Sequence, residues 1–111
     1  MNAGLNERCE QIASELVRGL RDLYGHRLKE ALVFGSHARG DAEDGSDLDV
    51  ALVLDTFDDP SRELEHTAEL VTRLSLQHGL VIALCPIRLQ DWMGRRSPLL
   101  LNIHREGVRI T

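Results

Sequence analysis

The sequence predicts an α/β domain (α+β in its layering), with a small mixed β-sheet flanked by helices. Three observations carry that prediction. Two long segments repeat apolar residues at intervals of three and four, which builds the single buried stripe of an amphipathic helix. Three short apolar runs, at residues 28–34, 50–54 and 80–84, have the length of strands. Glycine, proline or small polar residues punctuate the joins between them. A chain of 111 residues suits one compact domain, expected over residues 1–111, and leaves no room for two.

The first helix is expected over residues 5–24. Leu5, Cys9, Ile12, Leu16, Leu20 and Leu23 share its apolar stripe, and Gly25 stops it. It reads as a cover for the sheet. Residues 28–34 form the first strand, which ends in a Gly35-Ser36 turn, and residues 37–40 make one helical turn. His37 has no partner in the local sequence and reads as an exposed histidine. Residues 41–46 are a polar loop whose acids, Asp41, Glu43 and Asp44, read as solvated charges. The second strand is expected over residues 47–54, and Asp55, Asp58, Asp59 and Pro60 break it. Ser61 then caps a helix reaching about His78, with Leu64, Ala68, Val71 and Leu74 on its stripe and Gly79 at its end. Residues 80–84 read as a buried third strand that Pro86 keeps from extending. Residues 89–93 form a short turn or helix with Trp92 as packing anchor. Ser97-Pro98 opens a last helix, which Gly107 ends; residues 108–110 are too short to assign.

The formal net charge of −5 argues against broad electrostatic attraction to nucleic acid, so no direct nucleic-acid binding is expected. No apolar run approaches the roughly 18 residues of a membrane span. The polar first residues lack the apolar stretch of a leader. Cys9 and Cys85 show no metal-ligand spacing and read as reduced core residues of a cytoplasmic protein. Composition leaves the oligomeric state open, a homo-oligomer included.

Residues 34–50 read FGSHARGDAEDGSDLDV and organise the chain. Alternate residues of a strand share a face, so Asp47 and Asp49 lie on one face, roughly 6.6 Å apart along the strand. With no basic residue between them they repel unless a cation neutralises them, and hard ions such as Mg²⁺ take oxygen ligands of this kind. Both are therefore candidate metal ligands. Gly35 permits a backbone path closed to other residues, and Ser36 can start a helix whose free N–H groups attract phosphate. Arg39 either contacts phosphate or fixes the acidic loop by pairing with Asp41 or Asp47. Ser46, directly before the acid pair, can bond the backbone or a carboxylate. A phosphate cradle of Gly35, Ser36, Arg39 and Ser46 beside two carboxylates describes a site for a Mg²⁺-nucleoside triphosphate.

Gly-Ser, ten residues, then Asp-x-Asp resembles the signature of nucleotidyltransferases with the DNA polymerase β fold. The fuller form, GSHARGDAEDGSDLD, looks like the minimal nucleotidyltransferases of bacteria and archaea. That resemblance covers nearly the whole chain. It implies Mg²⁺-dependent transfer of a nucleotide, usually AMP from ATP, to a protein or small-molecule hydroxyl or phosphate, with Asp47 and Asp49 as the catalytic pair. It also implies a setting as antitoxin to a helical HEPN ribonuclease toxin. The family's transferring members carry a third carboxylate on the strand after the middle helix. Here that strand reads LVIALC, with Ala83 at the aligned position and Ile82 as the second choice. The sequence therefore leaves three readings open: an active enzyme in which another group, such as Glu43 or an acid of a partner, fills the gap; a nucleotide-binding antitoxin with little chemistry; and a pair of plain strand-edge charges. A P-loop and a Rossmann fingerprint are both excluded, since Lys29 is the only lysine and no Gly-x-Gly-x-x-Gly occurs.

Overall fold

Buried on both faces along almost its whole length, β2 (Leu48–Leu54) fixes the architecture of this computed structural model. The structure describes residues 4–111; Met1, Asn2 and Ala3, part of the expected single domain, lie outside the described residues. The elements run α1 (Glu7–Tyr24), a 3₁₀ turn (Gly25–Arg27), β1 (Leu28–Phe34), α2 (Ser36–Arg39), β2, α3 (Pro60–His78), β3 (Ile82–Arg88), α4 (Leu89–Gly94), α5 (Pro98–Glu106) and β4 (Val108–Arg109). The sheet order is β3-β2-β1-β4. β1 runs antiparallel to both β2 and β4, whereas β2 and β3 are parallel, so the sheet is mixed as expected. A parallel pair needs a crossover, and α3 supplies it.

Strand alternation divides the core between two faces. Leu48, Val50, Leu52 and Leu54 of β2 pack with Ala31 and Val33 of β1 against Ile12, Leu16 and Leu20 of α1 and Leu70 and Leu74 of α3. Ala51 and Val53 turn the other way and meet Leu32, Ile87, Trp92 of α4 and Ile103 of α5. Each buried aliphatic side chain contributes about 1.5–3 kcal/mol, and β2 is the strand that spends its side chains on both layers. Trp92 is the packing anchor expected, its indole N–H donating to Glu30 Oε2 at 3.0 Å.

Several boundaries differ from the sequence expectation for identifiable reasons. α1 begins at Glu7, because the Asn6 side chain accepts the Cys9 N–H and caps it. Leu23 is exposed where a stripe residue was expected; Tyr24 is buried instead, its hydroxyl donating to Glu63 of α3. The N-cap of α3 is Asp59 rather than Ser61: Asp59 accepts the Ser61 N–H and Pro60 takes the first helical position. The buried stripe of α3 is Thr67, Leu70 and Leu74, with Leu64 exposed. Thr67 can be buried because its hydroxyl donates to the carbonyls of Glu63 and Leu64. Leu80 belongs to the close of α3, donating its N–H to the Ser75 carbonyl, so β3 starts two residues later than expected. β3 also runs through Pro86, which an edge strand tolerates since a proline there need not donate to a ladder. Residues 108–109, unassigned from sequence, add β4 beside β1. Among the described residues no helix is long and apolar enough to cross a membrane.

Candidate active site

One residue of β2 is not buried, and it is Asp49. Its neighbours Leu48 and Val50 point into the α1/α3 layer, so Asp49 faces the other side, at the end of the row that continues with Ala51 and Val53. Across the ladder it pairs with Phe34 of β1 and Ala83 of β3, and paired residues share a face. A carboxylate thus stands on the central strand between an aromatic and a methyl group. Asp47 lies one residue before the strand, which begins at Leu48 rather than at Asp47 as expected; the Leu48 N–H donating to the Val81 carbonyl at 2.8 Å marks that start.

The Gly-Ser turn leads directly onto this carboxylate. Gly35 has φ +74°, and a Cβ added there would lie 2.6 Å from Asp49 Oδ2. Both its conformation and the close approach therefore require glycine. Gly35 is also the N-cap of α2, which makes Ser36 the first helical residue rather than the cap. The N–H groups of Ala38 and Arg39 both donate to the Gly35 carbonyl, and those of Gly40 and Asp41 to the Ser36 carbonyl. The first N–H groups of such a turn have no acceptor within it.

The remaining candidates hold the acidic loop. Ser46 Oγ accepts the Glu43 N–H at 2.9 Å, the backbone bond that its position allowed. Arg39 pairs with Asp41 at 3.2 Å and also with Glu106 of α5 at 3.3 Å; it does not pair with Asp47. Asp41, Glu43 and Asp44 are exposed, as solvated charges should be. His37 departs from expectation. Its Nε2 lies 3.2 Å from the Ser46 carbonyl and its Nδ1 3.4 Å from Cys9 Sγ, and it is only half-exposed. Nothing local in the sequence signals these bonds, because Cys9 reaches His37 only once α1 has docked.

Burial pushes the Asp49 carboxyl above its usual range, the charge of Asp47 adds to that, and His37 and Arg39 draw it partly back. Among the described residues neither Asp47 nor Asp49 has a salt-bridge partner. Cys85, half-buried two residues along β3 from Ala83, has its thiol pushed up by burial and then by the charge of Asp49, so it stays protonated at neutral pH. Among the described residues no group of three or more His, Cys, Asp and Glu is placed to cage a metal ion. A pair of unneutralised carboxylates suits Mg²⁺ all the same. That ion is commonly held by one or two carboxylates together with substrate phosphates, not by a cage made of protein alone.

A family model for the nucleotidyltransferase domain matches residues 13–97, a span that contains every candidate residue above. This chain belongs to the nucleotidyltransferase family. A Methanocaldococcus jannaschii protein provisionally named a protein adenylyltransferase is 36% identical over 73 residues, which is 66% of this chain and 67% of that protein. Among solved structures, a chain from a toxin–antitoxin crystallised with AMP-PNP superposes with a TM-score of 0.62 at 22% identity, covering 89% of this chain and 72% of its own. A chain from the complex of tri-AMPylated Shewanella oneidensis HEPN toxin with MNT antitoxin gives 0.55 at 20% identity, covering 92% and 71%. The likeness to those structures shows the nucleotidyltransferase fold, as the motif implied.

The Gly35 contact makes a prediction about this nucleotidyltransferase. Gly35→Val should abolish measurable ATP binding, since the branched side chain collides with Asp49 and strains a left-handed residue. Equilibrium dialysis with ATP and Mg²⁺ reads it, beside a melting curve showing that the variant is folded. Wild-type affinity in a folded Gly35→Val protein would rule out the phosphate cradle expected from the sequence.

Proposed function

We propose that this nucleotidyltransferase transfers AMP from ATP to a protein acceptor, with Asp47 and Asp49 holding Mg²⁺, as the antitoxin-like member of a pair with a HEPN-type helical protein. The observation that carries it is Asp49, a lone half-buried carboxylate on the central strand, set against Gly35 of the Gly-Ser turn. The proposed unit is the single domain of residues 1–111, acting in the cytoplasm. Mg²⁺, when bound, would offset the charge of the triphosphate and of the pentavalent transition state. The protein's own part is placement. Asp47 and Asp49 fix the cation's position, the N–H groups at the start of α2 and Ser36 receive phosphate oxygens, and Arg39 stands at the far end of that turn. The acceptor's protein nature is supported by the M. jannaschii relative's name and by the AMPylated toxin in the S. oneidensis structure.

A second reading has an observation of its own. Ala83 occupies the ladder position opposite Asp49, where a third carboxylate would share its face. Neighbouring Cys85 stays protonated and cannot replace that acid. A protein so equipped can bind Mg²⁺-ATP and its partner while transferring little. The deciding experiment incubates the wild type with α-labelled ATP, Mg²⁺ and a HEPN-type protein from the same genome. Label on the HEPN protein supports the enzyme. Stable complex formation without label supports the binding-only antitoxin.

A further inference from the structure

We propose that His37 is a positioning residue for Asp47, a clamp that fixes the peptide unit on the N-terminal side of that carboxylate; the inference rests on Asp47 and Asp49 being cation ligands. Asp47 is exposed and lies outside the β-ladder. Its direction is set by the two peptide planes that flank it, each rigid in itself. The plane after Asp47 is held by the Leu48 N–H, which donates to the Val81 carbonyl at 2.8 Å. The plane before it ends in the Ser46 carbonyl, and that oxygen lies 3.2 Å from His37 Nε2. With both planes pinned, the Cα–Cβ bond of Asp47 has one direction; with the first released, it swings with the loop.

The chemistry of the ring makes the clamp self-consistent. A carbonyl oxygen only accepts, so Nε2 is the nitrogen that donates to Ser46, and in the neutral ring Nδ1 is then the one that accepts. Cys9 Sγ lies 3.4 Å from Nδ1, and the buried thiol, its ionisation suppressed by burial, is the donor. The imidazole is thereby anchored to α1, the longest-range support available to it, and spans from that helix to the acidic loop. Both nitrogens are occupied, which leaves His37 no free lone pair to take a proton from an acceptor. The loop needs such a support: residues 41–47 carry no regular structure, and Gly45 sits at φ +87°.

The test measures two things in His37→Ala, His37→Gln, His37→Asn and Cys9→Ala. One is amide exchange over residues 44–48 in chelator; the other is the Mg²⁺ concentration that gives half of the thermal stabilisation by saturating ATP. His37→Ala is expected to speed exchange in the loop while residues 50–53 keep their protection, and to raise the Mg²⁺ midpoint ~10-fold, as loss of a partner that orients a ligand does. Glutamine places an N–H donor near Nε2 and should restore both readouts; asparagine, which reaches only as far as Nδ1, should not. Cys9→Ala should fall between. Melting curves in chelator separate these effects from global unfolding, which would not spare residues 50–53. Unchanged loop exchange in His37→Ala overturns the clamp, and faster exchange with an unchanged Mg²⁺ midpoint overturns its purpose. A wild type without Mg²⁺-dependent stabilisation would instead sink the ligand assignment, a failure the exchange data distinguish from loss of the clamp.

Discussion

Asp49→Asn is expected to melt at a higher temperature than the wild type in chelator, and to transfer no detectable AMP in Mg²⁺. The first half follows from the electrostatics of the site without its cation. Burial and the charge of Asp47 hold the Asp49 pKa above that of an unfolded chain. A group whose folded pKa is raised contributes stability below its unfolded pKa and loses that contribution as pH rises through the folded value. At neutral pH the ionised Asp49 therefore opposes folding, and a neutral amide of the same shape removes that opposition. Across a pH series the advantage of Asn over Asp should shrink towards acid, where the wild-type carboxyl is protonated. The second half follows from the role as cation ligand proposed for Asp49. Losing a residue that merely orients a ligand costs about 10–100-fold, so losing the ligand itself should cost more. Mg²⁺-ATP at 100 times its Kd should stabilise the wild type by about 2.7 kcal/mol, and the cation-dependent part should vanish in the variant. Differential scanning fluorimetry with and without chelator, beside labelled AMP incorporation, reads all of this. A variant less stable in chelator, or one still responding fully to Mg²⁺, would mean that Asp49 is an ordinary strand charge.

The parts of this site that were legible in the sequence are those whose causes are local. Asp47 and Asp49 declare themselves by sitting two apart at the entry to an apolar run, and Gly35 by following another. Ser97-Pro98 and Gly107 mark the ends of α5 through cap chemistry that acts within a turn. What was not legible depends on which surfaces meet. Pro86 looks like a strand terminator until β3 is known to be an edge. Thr67 looks like a polar gap in a stripe until its hydroxyl is seen to bond its own helix, which shifts the buried face of α3 away from Leu64. His37 looks unpartnered because its two partners come from a helix 28 residues earlier and a loop nine residues later. The contact between Gly35 and Asp49 is of the same kind: the glycine could be read as permissive, but not what its missing side chain makes room for.

Ala83→Asp is expected to lower stability in chelator, to regain it in Mg²⁺, and to speed AMP transfer. The ladder pairs Ala83 with Asp49, so an acid there would share its face and complete a set of three with Asp47. The sequence reads residues 80–84 as a buried strand, where an unpaired carboxylate would be strongly destabilising. Ala83 is in fact half-buried, because β3 is an edge strand, and the penalty is correspondingly moderate. Two like charges about 5 Å apart in a partly screened setting repel by about 3 kcal/mol or less, enough to move a melting curve without unfolding the chain. A divalent cation reverses the sign of that interaction and turns the new charge into a ligand. The chemical gain has a separate origin. In two-metal phosphoryl chemistry one ion holds the phosphates while the other favours the attacking oxygen, and a third carboxylate on this face could serve that second ion. The assay compares labelled AMP incorporation into the HEPN-type protein by the wild type, Ala83→Asp and Asp49→Asn, each with its melting temperature in chelator and in Mg²⁺. Faster incorporation together with Mg²⁺ rescue would show that Ala83 marks the missing acid. Rescue without faster transfer would show a cation site that does not serve the acceptor. Destabilisation that Mg²⁺ leaves untouched would mean that the side chain at 83 does not reach the cation, and that the pairing of Asp49 with Ala83 organises packing rather than chemistry.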